Sequence, residues 1–205
     1  TEEYNDHVIR CMSQTFLRDE PLTNIIGISY ETREREFVKI WKNILSQKMS
    51  LICLSKDYGR EPVVCGVNFT LVLSKNERAY TSKDPKFENF LMALEFIQEN
   101  GMIFEKLGLD KYLYSFGLYV PPQYRGENVG ANLLAARDSL CEAFGLEATA
   151  TIFSNKYSQR SGKKAGFRNM FEVSYNDFLG KLNVRCDNEH LTSTIKFMCK
   201  SYKQY

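Results

Sequence analysis

The chain has 205 residues, 43% of them hydrophobic and 13% aromatic, and its 27 lysines and arginines against 25 acidic residues leave a net charge of +2. That length and apolar content fit one globular domain spanning 1–205, and charges this balanced and interspersed exclude the basic footprint of a nucleic-acid binder. Six cysteines that are never two residues apart, with His7 and His190 isolated from them, exclude zinc-ligand spacing. No secretory segment opens the chain and no apolar run approaches the ~20 residues of a spanning helix, so free thiols, a cytoplasmic location and no membrane partner are expected. Nothing calls for an oligomer, and a monomer is favoured.

Tyr4, Val8, Met12 and Phe16 recur every four residues and predict an amphipathic helix from about residue 3 to Leu17. A second helix is predicted over about 31–49, with Phe37, Ile40, Trp41, Ile44 and Leu45 on one side. The stretches at 50–56 and 63–74 read as strands of a hairpin around the turn DYGREP. Asp84-Pro85 pairs a capping side chain with a proline at the first helical position, opening a third helix that carries Phe87, Phe90, Leu91, Leu94 and Ile97. A strand at 112–120, a helix at 128–144, a strand at 146–153, a shorter helix at 155–165 and closing strands at 168–178 and 193–200 complete the pattern. Helices alternating with strands in the middle and hairpins elsewhere predict an α/β fold, with a mixed, partly parallel sheet covered by helices.

The segment VPPQYRGENVGANLL, residues 120–134, ends a strand in a sharp turn and delivers a helix N-terminus. Such a terminus gathers unpaired backbone N–H groups and the positive end of the helix dipole, a setting that favours phosphate. Gly126 lets the backbone approach an anion, Arg125 adds a charge, and Gly130 and Ala131 keep the first turn free of bulk. An ordinary strand-to-helix turn with a solvated arginine has the same features. Neither G-x-x-x-x-G-K-[ST] nor G-x-G-x-x-G is present. The segment resembles motif A of the GNAT acyltransferase superfamily, Q/R-x-x-G-x-G/A, with Arg125, Asn128 and Gly130 at its defining positions. Asn128 replaces the usual glycine, and asparagine tolerates the left-handed backbone better than other side chains.

Two more stretches sharpen the resemblance. FLRDEPL at 16–22 is similar to the F-x-x-D-E-P-L signature of insect-type arylalkylamine N-acyltransferases, and SNKYSQRSGKKAGF at 154–167 is similar to that family's S-x-x-Y-S segment ending in K-x-G-F. The family opens with a strand before its first helix, whereas here the helical pattern starts at about residue 3, so the chain is either truncated, as a start at Thr1 suggests, or lacks that strand. The resemblance implies a GNAT-like fold, acetyl-CoA as co-substrate with no metal, and a small-molecule amine as acceptor. It implies that Glu20 is the general base, that Ser154 and Ser158 support proton handling, and that Leu118, Tyr119, Val120, Arg125, Gly126, Asn128, Val129, Gly130 and Ala131 bind the acyl-CoA.

A glutamate titrates near ~4.3, so such a base needs its pKa raised by burial or by Asp19 beside it. Glu20 and Asp19 could also simply end a helix beside Pro21. Ser154 is placed to cap the helix that follows it. The tyrosine that many GNAT enzymes use as thiolate acid falls at Gly162 here, so Ser158 or water would substitute. Lys163 and Lys164 suit either the 3′-phosphate of CoA or a solvated helix face. His7 and His190 read as filler, and with no G-x-S-x-G a serine hydrolase has no support. Other acceptors (a polyamine, an amino acid, a hydrazine-like amine, a protein lysine), a longer acyl donor, a silent CoA-binding module and a bare interaction domain remain as competing readings.

Overall fold

The computed structural model describes residues 2–55, 61–75, 77, 80–181 and 194–203; His190, Cys186 and most of the DYGREP turn lie outside them. The four-residue recurrence at the N-terminus forms a helical run, with α1 (Asn5–Cys11) passing through one π turn at Met12–Phe16 into α2 (Leu17–Asp19). Val8, Met12 and Leu17 are buried by it. A residue before proline is driven out of helical geometry, and Glu20 accordingly has φ −73° and ψ 115°, ending α2 and starting α3 (Pro21–Ile25).

Next come α4 (Tyr30–Ser46), β1 (Leu51–Leu54) and β2 (Val64–Ser74). They are followed by α5 (Pro85–Gly101), α6 (Ile103–Leu107) and β3 (Lys111–Tyr119). Asp84 caps α5 by accepting from the N–H groups of Lys86 and Phe87, with Pro85 at the first helical position. The chain continues as α7 (Val129–Ala135), α8 (Arg137–Ala143), β4 (Ala148–Phe153), α9 (Lys156–Lys164), β5 (Arg168–Ser174), α10 (Tyr175–Lys181) and β6 (Thr194–Ser201). The helix expected over 128–144 is thus divided at Ala136.

Among the described residues six strands are ordered β1-β2-β3-β4-β6-β5, and only β3–β4 is parallel. The strand expected over 168–178 stops at Ser174. There the Ser174 hydroxyl accepts from the Asp177 N–H at 3.0 Å and donates to its carboxylate at 2.6 Å, a capping arrangement that starts α10. Tyr175, Phe178 and Leu179 are buried at helical spacing. The large core, on the side of α4 and α5, packs Phe37 against Trp41, Phe87, Phe90 and Phe116 at centroid distances of 5.2–5.8 Å.

Two irregularities shape the sheet centre. Between Asn68↔Leu118 and Thr70↔Ser115 the register of β2 and β3 shifts, placing an extra residue on β3, a bulge that bends the strand. It falls at Phe116–Gly117, and Gly117 has φ 137°. In addition, β3 and β4 are in register only at Leu113↔Thr149 and Tyr114↔Ala150, so their C-terminal ends separate.

Candidate active site

A cavity of about 1140 Å³ occupies the fork between β3 and β4. Its wall runs from Phe16 and Asp19–Leu22, through residues 114–120 at and just after the end of β3, to the loop and first turn of α7 and the exposed side of α9. Of the residues singled out in the sequence, Glu20, Leu118, Tyr119, Val120, Arg125, Gly126, Asn128, Val129, Gly130, Ser154 and Ser158 lie in this wall. Ala131 does not; it is 8% exposed on the packed side of α7.

Glu20 is buried and caps α3. Oε1 accepts from the Leu22 N–H at 3.1 Å, while Oε2 accepts from the Thr23 N–H at 2.7 Å and the Thr23 hydroxyl at 3.0 Å. Burial pushes its pKa above the ordinary carboxylate value, and these donors and the Arg33 guanidinium oppose the rise. The balance favours a carboxylate that is ionised only when the pH is high enough, with acceptor capacity remaining on Oε1. Asp19 is not the cause of the rise. Its carboxylate is held by Arg125 Nη2 at 2.9 Å, which lowers its own pKa.

Arg125, expected on a phosphate, therefore spans the mouth: it holds Asp19 and also donates through Nε to the Val120 carbonyl at 3.1 Å. Asn128 has φ 61° and ψ 11°, the left-handed conformation that its side chain tolerates. The first i to i−4 bond of α7 is Asn132 N–H to Asn128 O at 2.9 Å, so the amides of Val129, Gly130 and Ala131 have no intrahelical acceptor. Arg125, Arg160 and Lys164 are cations of the same wall, and Lys164 Nζ donates to Asn128 Oδ1. Free amides, a left-handed turn and three cations around an open groove fit the phosphates of an acyl-CoA. Gly126 has φ 93°, and a Cβ there would meet nothing within 4 Å. Gly126→Ala is therefore expected to cost only the backbone strain, about 1–2 kcal/mol, which thermal unfolding would register as a modest fall in Tm.

The cap of α9 is Asn155 rather than Ser154. Asn155 Oδ1 accepts from the N–H groups of Tyr157 and Ser158, and the Ser158 side chain completes the box. Asparagine at this position reaches the second and third amides of the helix, which Ser154, one residue earlier, cannot. Instead the Ser154 carbonyl accepts from the Tyr175 hydroxyl. A side chain at Gly162 would put its Cβ 2.8 Å from Phe153 Cζ, so the Phe153 ring fills the space into which it would project.

Sequence reasoning missed that Phe16, Phe37, Phe90, Leu94, Tyr114 and Phe116 line the same cavity as Glu20. Their helical spacing marked Phe37, Phe90 and Leu94 as buried, but core and cavity lining have the same period. Arg160 and Arg137 were also missed; a single charged residue in a helix leaves no periodic signal. Among the described residues the only carboxylates of the wall are Asp19 and Glu20. No group of three potential metal ligands occurs among the described residues, and no described helix is long and apolar enough to cross a membrane.

No protein-family model matches the chain. Comparison with solved structures places it beside a protein of the yellow fever mosquito Aedes aegypti assigned as arylalkylamine N-acetyltransferase 7. The two are 27% identical with a TM-score of 0.89, over 99% of this chain and 85% of the mosquito chain. Arylalkylamine N-acetyltransferase 2 of Aedes aegypti is 21% identical over 99% and 96% of the two chains, with a TM-score of 0.79. The Drosophila melanogaster polyamine N-acetyltransferase that forms N-acetylagmatine is 15% identical over 97% and 95%, also with a TM-score of 0.79. The chain has the GNAT acyltransferase fold and resembles the insect arylalkylamine N-acetyltransferases.

Proposed function

We propose that the chain is a single-domain, acetyl-CoA-dependent N-acetyltransferase acting on the primary amine of an arylalkylamine. Acceptor and donor meet in the fork as a ternary complex. The aromatic wall takes the aryl group, where ring contacts add to area burial. Glu20, ionised above its raised pKa, takes the proton of the ammonium directly or through water. The neutral nitrogen then attacks the thioester carbonyl, forming the C–N bond as the C–S bond breaks. The second proton that the nitrogen loses as the amide forms passes to the departing thiolate, with Ser158 or water as the relay. The backbone of Leu118–Val120 aligns the donor arm, and the α7 turn with Arg125, Arg160 and Lys164 holds its phosphates.

The observation that carries this reading is one cavity that brings a buried, pKa-raised Glu20 together with aromatic side chains and with amides and cations that suit phosphates. Polyamines are the second reading, because of the fold shared with the Drosophila enzyme. A polycation favours a cleft with several free carboxylates; here Asp19 is engaged by Arg125, leaving Glu20.

The test is mass-spectrometric detection of acetylated product from purified protein, acetyl-CoA and a panel of dopamine, tyramine, serotonin, tryptamine, spermidine, agmatine and a lysine peptide. Acetylation of the aromatic amines ahead of the others is the expected result. Preference for spermidine or agmatine would replace the acceptor assignment, and acetyl-CoA binding without any product would leave a silent CoA-binding module or a donor of different chain length.

A further inference from the structure

Arg137 is fully buried, and among the described residues no carboxylate is one of its hydrogen-bond partners. Its Nε donates to Asn68 Oδ1 at 2.7 Å, its Nη1 donates to the Thr149 hydroxyl at 3.2 Å, and the Phe167 ring centroid lies 5.7 Å from Cζ. Nη2 has no hydrogen-bond partner among the described residues. The adjacent acid, Asp138, is committed to Lys200 and the Tyr202 hydroxyl. A buried charge without a counterion is costly, and an apolar side chain here would be the simpler way to pack α8 on the sheet.

What the charge holds explains its place. With Oδ1 of Asn68 engaged by Arg137, the amide has one orientation, and Nδ2 donates to the Ser115 hydroxyl at 2.7 Å and to the Gly117 carbonyl at 2.9 Å. Gly117 belongs to the β3 bulge, directly before Leu118–Val120. On the other side of the fork the Thr149 and Thr151 hydroxyls donate to the Leu113 and Ser115 carbonyls at 2.9 and 3.0 Å. These bonds join α8, β2, β4 and the bulged end of β3 in one buried network, whose members strengthen one another in a medium of low dielectric.

We infer that Arg137 and Asn68 are a positioning pair for acyl transfer: Arg137 fixes the Asn68 amide, the amide fixes the Gly117 carbonyl, and Leu118–Val120 are thereby held in one geometry for the thioester arm. The inference rests on the acyl-CoA reading of the cavity. Aspartate at position 68 has the same shape and would give Arg137 a counterion. Aspartate, however, has no donor for the Gly117 carbonyl.

Asn68→Asp separates the two roles. Acetyl-CoA affinity is measured by calorimetry, stability by thermal unfolding, and the bulge by amide hydrogen exchange at residues 117–120. The positioning role predicts faster exchange confined to the end of β3 and an acetyl-CoA Kd raised by ~10-fold or more, beyond any change in unfolding midpoint, in which the new counterion for Arg137 offsets the lost donor bonds. Unchanged exchange at 117–120 together with an unchanged Kd overturns it. If wild-type protein binds no acetyl-CoA, the donor reading and the functional role both fall, and the exchange data alone then decide whether the pair fixes β3. Should Asn68→Asp fail to fold, Asn68→Ser, which removes the amide without adding charge, carries the same two readouts.

Discussion

Glu20→Gln is expected to lower kcat for acetyl transfer by roughly 10²–10⁴-fold, the range in which a positioned general base contributes, while the Kd for acetyl-CoA stays near the wild-type value. Glu20 is bonded to Leu22 and Thr23 and to none of the groups assigned to the phosphates, so donor binding does not depend directly on its charge. The pH profile gives the sign. Glu20 must be ionised to accept the proton, so wild-type kcat/KM rises with pH through its raised pKa, and the variant loses that limb. Stability moves differently. A carboxyl whose folded-state pKa exceeds its unfolded value contributes stability that is fully present below the unfolded pKa and is lost as pH rises through the folded one. Glutamine is spared that loss, and its one carbonyl oxygen can keep the two Thr23 donors of the α3 cap, though its amide nitrogen can no longer accept from the Leu22 N–H. A folded, acetyl-CoA-binding protein with kcat lost is therefore the expected phenotype. An unchanged pH–rate profile removes Glu20 from the role of base.

The helices and strands were legible because they have one buried face. Tyr4, Val8, Met12 and Phe16 declare a helix whatever lies beneath, and Asp84-Pro85 marks a helix start through two local rules. Errors arose where two local patterns overlapped: 168–178 has enough aromatic and β-branched residues to read as one strand, and only the Ser174–Asp177 cap and the spacing of Tyr175, Phe178 and Leu179 divide it. The site was legible as short motifs and illegible as geometry. Glu20 could be named from Asp-Glu-Pro-Leu, yet the source of its raised pKa is burial among segments far apart in the chain. Arg125 and Asp19, 106 residues apart, give no local sign that they pair. The unaccompanied charge of Arg137 is likewise a product of packing, since the aspartate that follows it in sequence turns to Lys200 and Tyr202 instead.

Gly66→Ala tests whether the seat of α7 is as tight as its role requires. Gly66 lies on β2 beneath that helix, and a Cβ there would sit 2.9 Å from both Val129 Cγ1 and Leu133 Cδ1 and 3.2 Å from the Tyr119 carbonyl oxygen. Val129 is restricted to essentially one rotamer in a helix and the carbonyl belongs to β3, so of the three only the end of Leu133 yields readily. The remaining strain is relieved by lifting α7, whose first amides border the groove proposed for the donor phosphates. Overpacking of this kind costs about 1–3 kcal/mol, which for a chain of this size lowers Tm by roughly 2–12 °C. A tilt of the helix start should also weaken acetyl-CoA binding by ~10-fold, or about 1.4 kcal/mol. Gly180→Ala is the control: it lies in α10, a Cβ there meets nothing within 4 Å, and helix propensity alone predicts a gain of about 0.5–1 kcal/mol with unchanged acetyl-CoA affinity. If Gly66→Ala lowered Tm and left the affinity intact, the contact between β2 and α7 would stabilise the fold without setting the height of the groove, and donor binding would have to depend on the α7 turn and the cations of α9 rather than on where the helix rests.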